Sequence, residues 1–348
     1  MDETRTLRWA HGSLRVQRLG AMLGPVRFDL PSGRMVEPLH IAPWAEDGTI
    51  SDVELSSLPP ILHRLRGEWP CVPFGADEPE NLALEWSDSM GRRLPLPGNP
   101  PPHGESSNCE WNWEAEGGDR LCLSLDYPND HPIARVERDV IPDPDATAVN
   151  LVLRITPRAN CQLPLGLHPT FALPPLAGSA SIMPPHAKQI RSYPGSLEPE
   201  GDIFAPNAVF TNITDAPDHT GQAMDASSVP FEQPGEDLLQ LVGVDEGRVS
   251  LKNHAGGYRA TLSWNAEHFP SLLIWYSNCG RQQAPWLGRH TALGLEPVCS
   301  AFDLGAAIAT CDNPIAKQGV LTSFSLRADE VFETHYRIAA DDLITGSQ

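Results

Sequence analysis

Two titratable residues stand where a strand would otherwise hold apolar ones. His168 lies in Pro164-Leu165-Gly166-Leu167-His168-Pro169-Thr170-Phe171, and Glu296 in Ala292-Leu293-Gly294-Leu295-Glu296-Pro297-Val298. Burying a carboxylate framed by Leu295 and Val298 is costly without partners, because desolvation disfavours its charged form. Alone, His168 reads more readily as a satisfied core histidine and Glu296 as half of a structural ion pair. Together they offer a base and an acid whose pKa values burial draws toward neutrality, which is what general acid–base catalysis needs. A third segment, Pro101-Pro102-His103-Gly104, precedes Trp111 and Trp113. A histidine on a Pro/Gly loop near indole rings suits a polar ring such as a sugar, whose C–H face an aromatic ring covers while imidazole reads hydroxyls. Trp286 is a further candidate stacking ring; a surface histidine and a core tryptophan are the plain alternatives.

Other chemistries lack their residues. There is no G-x-S-x-G elbow, no G-x-x-x-x-G-K-[ST] phosphate loop and no G-x-G-x-x-G, so a standard serine hydrolase and nucleotide-dependent chemistry are not expected. No second carboxylate motif pairs with Glu296, which argues against a glycosidase. The seven cysteines are scattered without C-x-x-C spacing and no H-x-x-x-H occurs, so neither a metal nor another cofactor is expected. Unpaired cysteines, an N-terminus (Met1 to Arg5) with no apolar stretch after it and no run near 18 apolar residues together read as a cytoplasmic protein. With Lys+Arg 25 against Asp+Glu 45 the net charge is −20, which repels nucleic acid and anionic membranes alike.

The elements that must position these residues are strands. Val149, Leu151, Leu153 and Ile155 fall on one face of an alternating run from Thr147 to Thr156. Similar runs cover Leu121 to Leu125, Arg248 to Lys252, Tyr258 to Trp264, Ser271 to Tyr276, Ala292 to Val298 and Val331 to Ile338. Proline supplies 35 of 348 residues, about twice the usual share, and its missing N–H works against long helices. Short helices are expected only within Asp52 to Arg66, interrupted at Pro59-Pro60, and Ala301 to Cys311. Residues 174–234, rich in Pro, Gly, Asp and Ser, read as one long ordered excursion over a side of the sandwich. The expectation is an all-β, antiparallel chain forming one domain over 1–348, with its core at about 10–340.

These segments resemble the aldose 1-epimerase (galactose mutarotase-like) family over roughly residues 10 to 340. Pro70-Cys71-Val72-Pro73-Phe74-Gly75 is similar to its "P-x-x-P-F" loop and His103-Gly104 to its "HG" motif. Leu167-His168-Pro169-Thr170-Phe171 resembles its histidine strand and Gly294-Leu295-Glu296-Pro297 its glutamate strand. The resemblance implies a large antiparallel β-supersandwich with a few short helices, acting without a metal on a small-molecule sugar, as a monomer or homodimer. It implies His168 as acid and Glu296 as base in exchanging the α and β anomers of a free aldose. His103 would bind near the ring oxygen and Asp237, in Gly235-Glu236-Asp237-Leu238, would bind a hydroxyl. The family's arginines after "P-x-x-P-F" and "HG" are missing, and Arg64 or Arg66 is the expected substitute. The alternatives are a non-catalytic carbohydrate-binding or sensing protein, and a hexose-6-phosphate 1-epimerase using a cluster of Arg64, Arg66, Arg92 and Arg93.

Overall fold

The alternating runs become strands of two large antiparallel sheets. The structure, a computed structural model, describes residues 3–76, 81–87, 100–114 and 118–343; Arg92 and Arg93 lie outside them. One sheet has the order Val209–Phe210, Ala187–Ser192, Gly235–Val244, Ser271–Asn278, Thr291–Cys299, Leu165–Leu167, Pro70–Cys71, and Thr170–Ala172 also pairs with Thr291–Cys299. The other runs Ser228–Val229, Ala180–Met183, Arg248–Asn253, Tyr258–Trp264, Phe332–Asp342, Ala148–Pro157, Ile133–Pro142, Leu121–Asp126, Asn112–Trp113. A four-stranded N-terminal sheet, Thr4–Trp9 to Met35–Val36, adds Leu14, Val16, Val26 and Phe28 to the same core. No helix among the described residues is long and apolar enough to cross a membrane.

Period two decides which layer each side chain enters. Along Ser271–Asn278, Leu272, Ile274 and Tyr276 join the core shared with Val136, Leu151, Leu153, Leu262 and Ile338 of the nine-stranded sheet. The alternate residues Leu273 and Trp275 enter a second apolar cluster with Trp44, Ile61, Trp69, Trp286, Phe302 and Ile308. The eight-stranded sheet is therefore apolar on both faces: one against its partner sheet, the other beneath loops and short helices. That is why Ser271-Leu-Leu-Ile-Trp-Tyr276 reads as a continuous apolar run.

Both helical expectations shrink to single turns. Asp52–Ser56 starts on a capping box in which the Glu54 N–H donates to the Ser51 hydroxyl and the Ser51 N–H donates to the Glu54 carboxylate; a 3-10 turn, Pro60–Leu62, follows. The other helix is Gly305–Ala309. The excursion over 174–234 needs correcting, because Ala180–Met183 and Ala187–Ser192 are integral strands of the two main sheets. Their polar residues hide the pattern: Gln189 and Arg191 pair with Val242 and Gln240.

Candidate active site

His168 and Glu296 meet because of strand register. Leu165 lies opposite Cys299, Gly166 opposite Val298 and Thr170 opposite Gly294, so one antiparallel register places His168 opposite Glu296. Pro169 and Pro297 interrupt this stretch of the ladder by removing two donors. The Leu295 N–H still donates to the Pro169 carbonyl at 2.9 Å, and the His168 N–H to the Trp69 carbonyl at 2.9 Å. Directly opposite residues share a face, and His168 Nε2 stands 3.4 Å from Glu296 Oε1. Gly294, two residues before Glu296 on that face, leaves the space the carboxylate occupies: a Cβ there would collide with Glu296 Oε1.

Both side chains line a cavity of about 330 Å³ on the loop-covered face of the sheet, together with His103, Trp69, Trp275 and Trp286. Trp69 stacks on the His168 ring at 4.1 Å and 19° between planes. His103 meets that ring edge-on at 5.2 Å. Two sequence motifs lock together to hold His103: its N–H donates to the Gly75 carbonyl at 2.7 Å, and its Nδ1 accepts from the Gly75 N–H at 3.3 Å. The accepting Nδ1 leaves the ring proton on Nε2, a donor for the site. Gly104 has φ +73°, and a Cβ there would run into the Val72 carbonyl, which is the physical content of His-Gly beside Pro-x-x-Pro-Phe. Trp111 instead is core, donating Nε1–H to the Ser106 carbonyl, and Trp113 lies under the Arg5 guanidinium.

Burial sets the charge state. It pushes the Glu296 carboxyl well above the ordinary value, helped by Asp303, and pushes His168 well below its own, helped by His103. Burial also takes His103 down to about 4, so this imidazole is neutral at physiological pH.

Two expected residues lie elsewhere. Asp237 pairs with Tyr276 and so shares the opposite face of the sheet, where its carboxylate accepts from the N–H groups of Ile203, Phe204 and Leu238. Its neighbour Glu236 has the other parity, taking Trp275 Nε1–H at 2.6 Å and the Ser277 hydroxyl at 3.0 Å. Arg66 is buried away from the cavity, on Glu46 and the Arg64 carbonyl, while Arg64 binds Glu3 at the surface. The arginine at the site is Arg281, from the loop after Ser271–Asn278. It lies 3.2 Å from Glu198 and 3.4 Å from Glu236, with its guanidinium 4.8 Å from the Trp286 ring centre. Two further carboxylates, Glu198 and Asp303, also line the cavity, although no second carboxylate motif was expected to pair with Glu296. Cys279-Gly280-Arg281 carries no readable pattern. Asp303 does: it is a lone acid inside the apolar run Ala301 to Ala309, the same signal that singled out Glu296.

No family model matches the sequence, and no curated protein does. The folded chain is similar to the aldose epimerase homologue of C. elegans, at 12% identity over 98% of this chain and 99% of that one, with TM-score 0.62. The fold is the galactose mutarotase-like one. Galactose mutarotase-like proteins from Clostridium acetobutylicum (11% identity, 97% and 95% covered, TM-score 0.63) and Lactobacillus casei ATCC 334 (12%, 97% and 99%, TM-score 0.59) share it. Within this galactose mutarotase-like fold, cavity and apposed pair sit on the face of the eight-stranded sheet turned away from its partner sheet.

Proposed function

We propose that the protein is an aldose 1-epimerase, interconverting the α and β anomers of an uncharged sugar. The observation that carries this reading is one imidazole and one carboxyl, opposite each other in register and 3.4 Å apart, in a cavity walled by tryptophan. The pair shares one proton. With that proton on His168, the Glu296 carboxylate takes the proton of the anomeric hydroxyl while the imidazolium gives one to the ring oxygen. The C1–O5 bond breaks and C1=O1 forms. The pair is then neutral acid and neutral imidazole, the state that burial favours. Rotation about C1–C2 presents the other face of the aldehyde. Glu296 then returns its proton to O1, His168 removes the one on O5, and the ring closes as the other anomer. Neutral His103 donates from Nε2 to a sugar oxygen.

An uncharged sugar fits better than a 6-phosphate. The cavity holds Glu198, Glu296 and Asp303, and its Arg281 is already engaged by Glu198 and Glu236.

Glu296→Gln and His168→Asn are each expected to lower anomer exchange by at least about 10²-fold, the lower range for a positioned acid or base, with circular dichroism unchanged. Polarimetry on D-glucose and D-galactose measures this. Either variant working at the wild-type rate removes the role assigned to that residue. Saturable binding without accelerated exchange in the wild type makes the chain a sugar-binding protein instead.

A further inference from the structure

At one end of three neighbouring strands lies a buried polar chain that the proton transfer does not use. Glu236 and Ser277 are directly opposite in register, and His290 lies two residues ahead of Ala292, which pairs with Ser277 from the other side. Parity puts all three side chains on the loop-covered face of the eight-stranded sheet. None of them lines the cavity, and each residue is at most 2% exposed. The Ser277 hydroxyl lies 3.0 Å from one Glu236 oxygen and 2.7 Å from His290 Nδ1. A carboxylate only accepts, so the hydroxyl donates to Glu236 and accepts from His290 Nδ1–H. The second Glu236 oxygen takes Trp275 Nε1–H at 2.6 Å and stands 3.4 Å from Arg281 Nε. The chain then closes through rings. His290 stacks on Trp275 at 5.5 Å and 23°, and meets Trp286 edge-on at 4.8 Å and 84°. The Arg281 guanidinium lies over both indoles, 4.8 Å from the Trp286 ring centre and 5.8 Å from that of Trp275. Trp275 and Trp286 stand 6.0 Å apart at 85°, a right-angled corner in the wall of the cavity. Trp44 also packs on Trp286, at 4.7 Å, but its indole N–H goes to the Leu62 carbonyl, outside this chain. Apolar packing has no preferred direction, whereas linked hydrogen bonds select one arrangement. His290 Nε2 meets no partner among the described residues, so Nδ1 makes the ring's directional contact.

We propose that Glu236, Ser277 and His290 are positioning residues: their hydrogen-bonded chain fixes the corner between Trp275 and Trp286, and thereby the affinity for the sugar, without entering the proton transfer. The reacting pair is placed by other means. Strand register, the Trp69 ring and the space at Gly294 hold His168 and Glu296, and none of these involves the chain. Trp275 touches both systems, stacked on His290 and edge-on to the His168 ring at 5.8 Å. A sugar lays its C–H faces on indole alike before and during ring opening. Losing that contact therefore falls on binding rather than on rate. The use of the corner for a sugar rests on the function proposed above; the placing of the two rings does not.

The test is Ser277→Ala, which removes the middle link, in protein carrying fluorotryptophan. Single substitutions to phenylalanine assign the fluorine NMR signals of Trp275, Trp286 and Trp9. In Ser277→Ala the Trp275 and Trp286 signals should move or broaden, while Trp9, on the N-terminal sheet, keeps its own. Polarimetry on D-glucose and D-galactose should show KM raised about 10-fold, the worth of roughly one hydrogen bond, with kcat within about threefold of wild type. If the alanine variant does not fold, His290→Phe, which keeps a ring but no N–H, should give the same signature. A merely structural role lowers the melting temperature and leaves KM and both signals in place; that result overturns the proposal. So do signals that move with KM unchanged, or a loss of kcat in place of the rise in KM. If the wild type binds hexoses without accelerating exchange, the reaction proposed above fails, and the Kd from NMR titration takes the place of KM in the same comparison. A wild type that binds no hexose overturns both that function and the link to sugar affinity, and the fluorine signals then decide the positioning by themselves.

Discussion

At the scale of single residues, one position of parity decides which face of the sheet a side chain joins. Glu236 and Asp237 are adjacent acids on one strand, and the pleat sends them to opposite faces. The Asp237 carboxyl is consequently desolvated, and its pKa rises from 3.8 to about 7 even though three backbone N–H groups point at it. Because the folded value lies above the unfolded one, protonation stabilises the fold. That contribution is present at low pH and fades as pH rises through about 7. Raising the pH from 6 to 8 should therefore cost about 1.4 kcal/mol from this group alone. Asp237→Asn cannot ionise, so its urea-unfolding free energy should lack this share of the pH dependence. Equal slopes in the two proteins would refute the assignment of the titration to Asp237.

At the scale of elements, the site is a property of two strands in register. Prolines 169 and 297 loosen the ladder beside His168 and Glu296, and Gly294 keeps room for the Glu296 carboxylate. A methyl group at position 294 meets the mobile end of Glu296 and the Trp275 Cβ, with no backbone atom among its nearest contacts. Gly294→Ala is thus expected to fold with a loss of about 1–3 kcal/mol, typical of overpacking. It should displace Glu296 from His168 and lower kcat by about tenfold or more, since small misplacements of a reacting group are expensive. Thermal unfolding and polarimetry on the same preparation separate the two effects. Full activity would mean that the carboxylate does not need this space.

Across the whole molecule, a buried charge network ties the nine-stranded sheet to the N-terminal sheet and to the segment leading into Pro70–Cys71. Arg138 of the nine-stranded sheet pairs with Glu68, whose other oxygen accepts the Tyr336 hydroxyl at 2.7 Å. Arg138 also donates to the Ala21 carbonyl at 2.7 Å, and Glu68 exchanges backbone hydrogen bonds with Leu23. Glu68 directly precedes Trp69, the ring stacked on His168, so the network positions the floor of the cavity as well as the sheets. Glu68→Gln leaves a guanidinium unpaired in the core and should cost about 3–5 kcal/mol. Urea denaturation reads this directly. A loss below about 1 kcal/mol would show that the sheets are held together without the pair.

Much was legible from local pattern. Alternation in Thr147 to Thr156 and Tyr258 to Trp264, with proline at one residue in ten, was enough for an antiparallel β chain, because side-chain direction in a strand depends only on parity. His168 and Glu296 stood out because a titratable group inside an apolar strand needs a reason, and that cost is local too. Which partner each residue meets is not local. His168 and Glu296 are brought together by pairing between distant strands, Glu236 and Asp237 are sorted by that pairing, and Arg281 and Asp303 arrive on loops whose course only the packed sheets determine. The covered outer face, which turns a strand surface into a cavity, exists only once Trp44, Trp69, Trp286 and Phe302 have folded over it. Local sequence encodes what each segment prefers; long-range packing chooses the neighbours, and the chemistry of this protein lies in the neighbours.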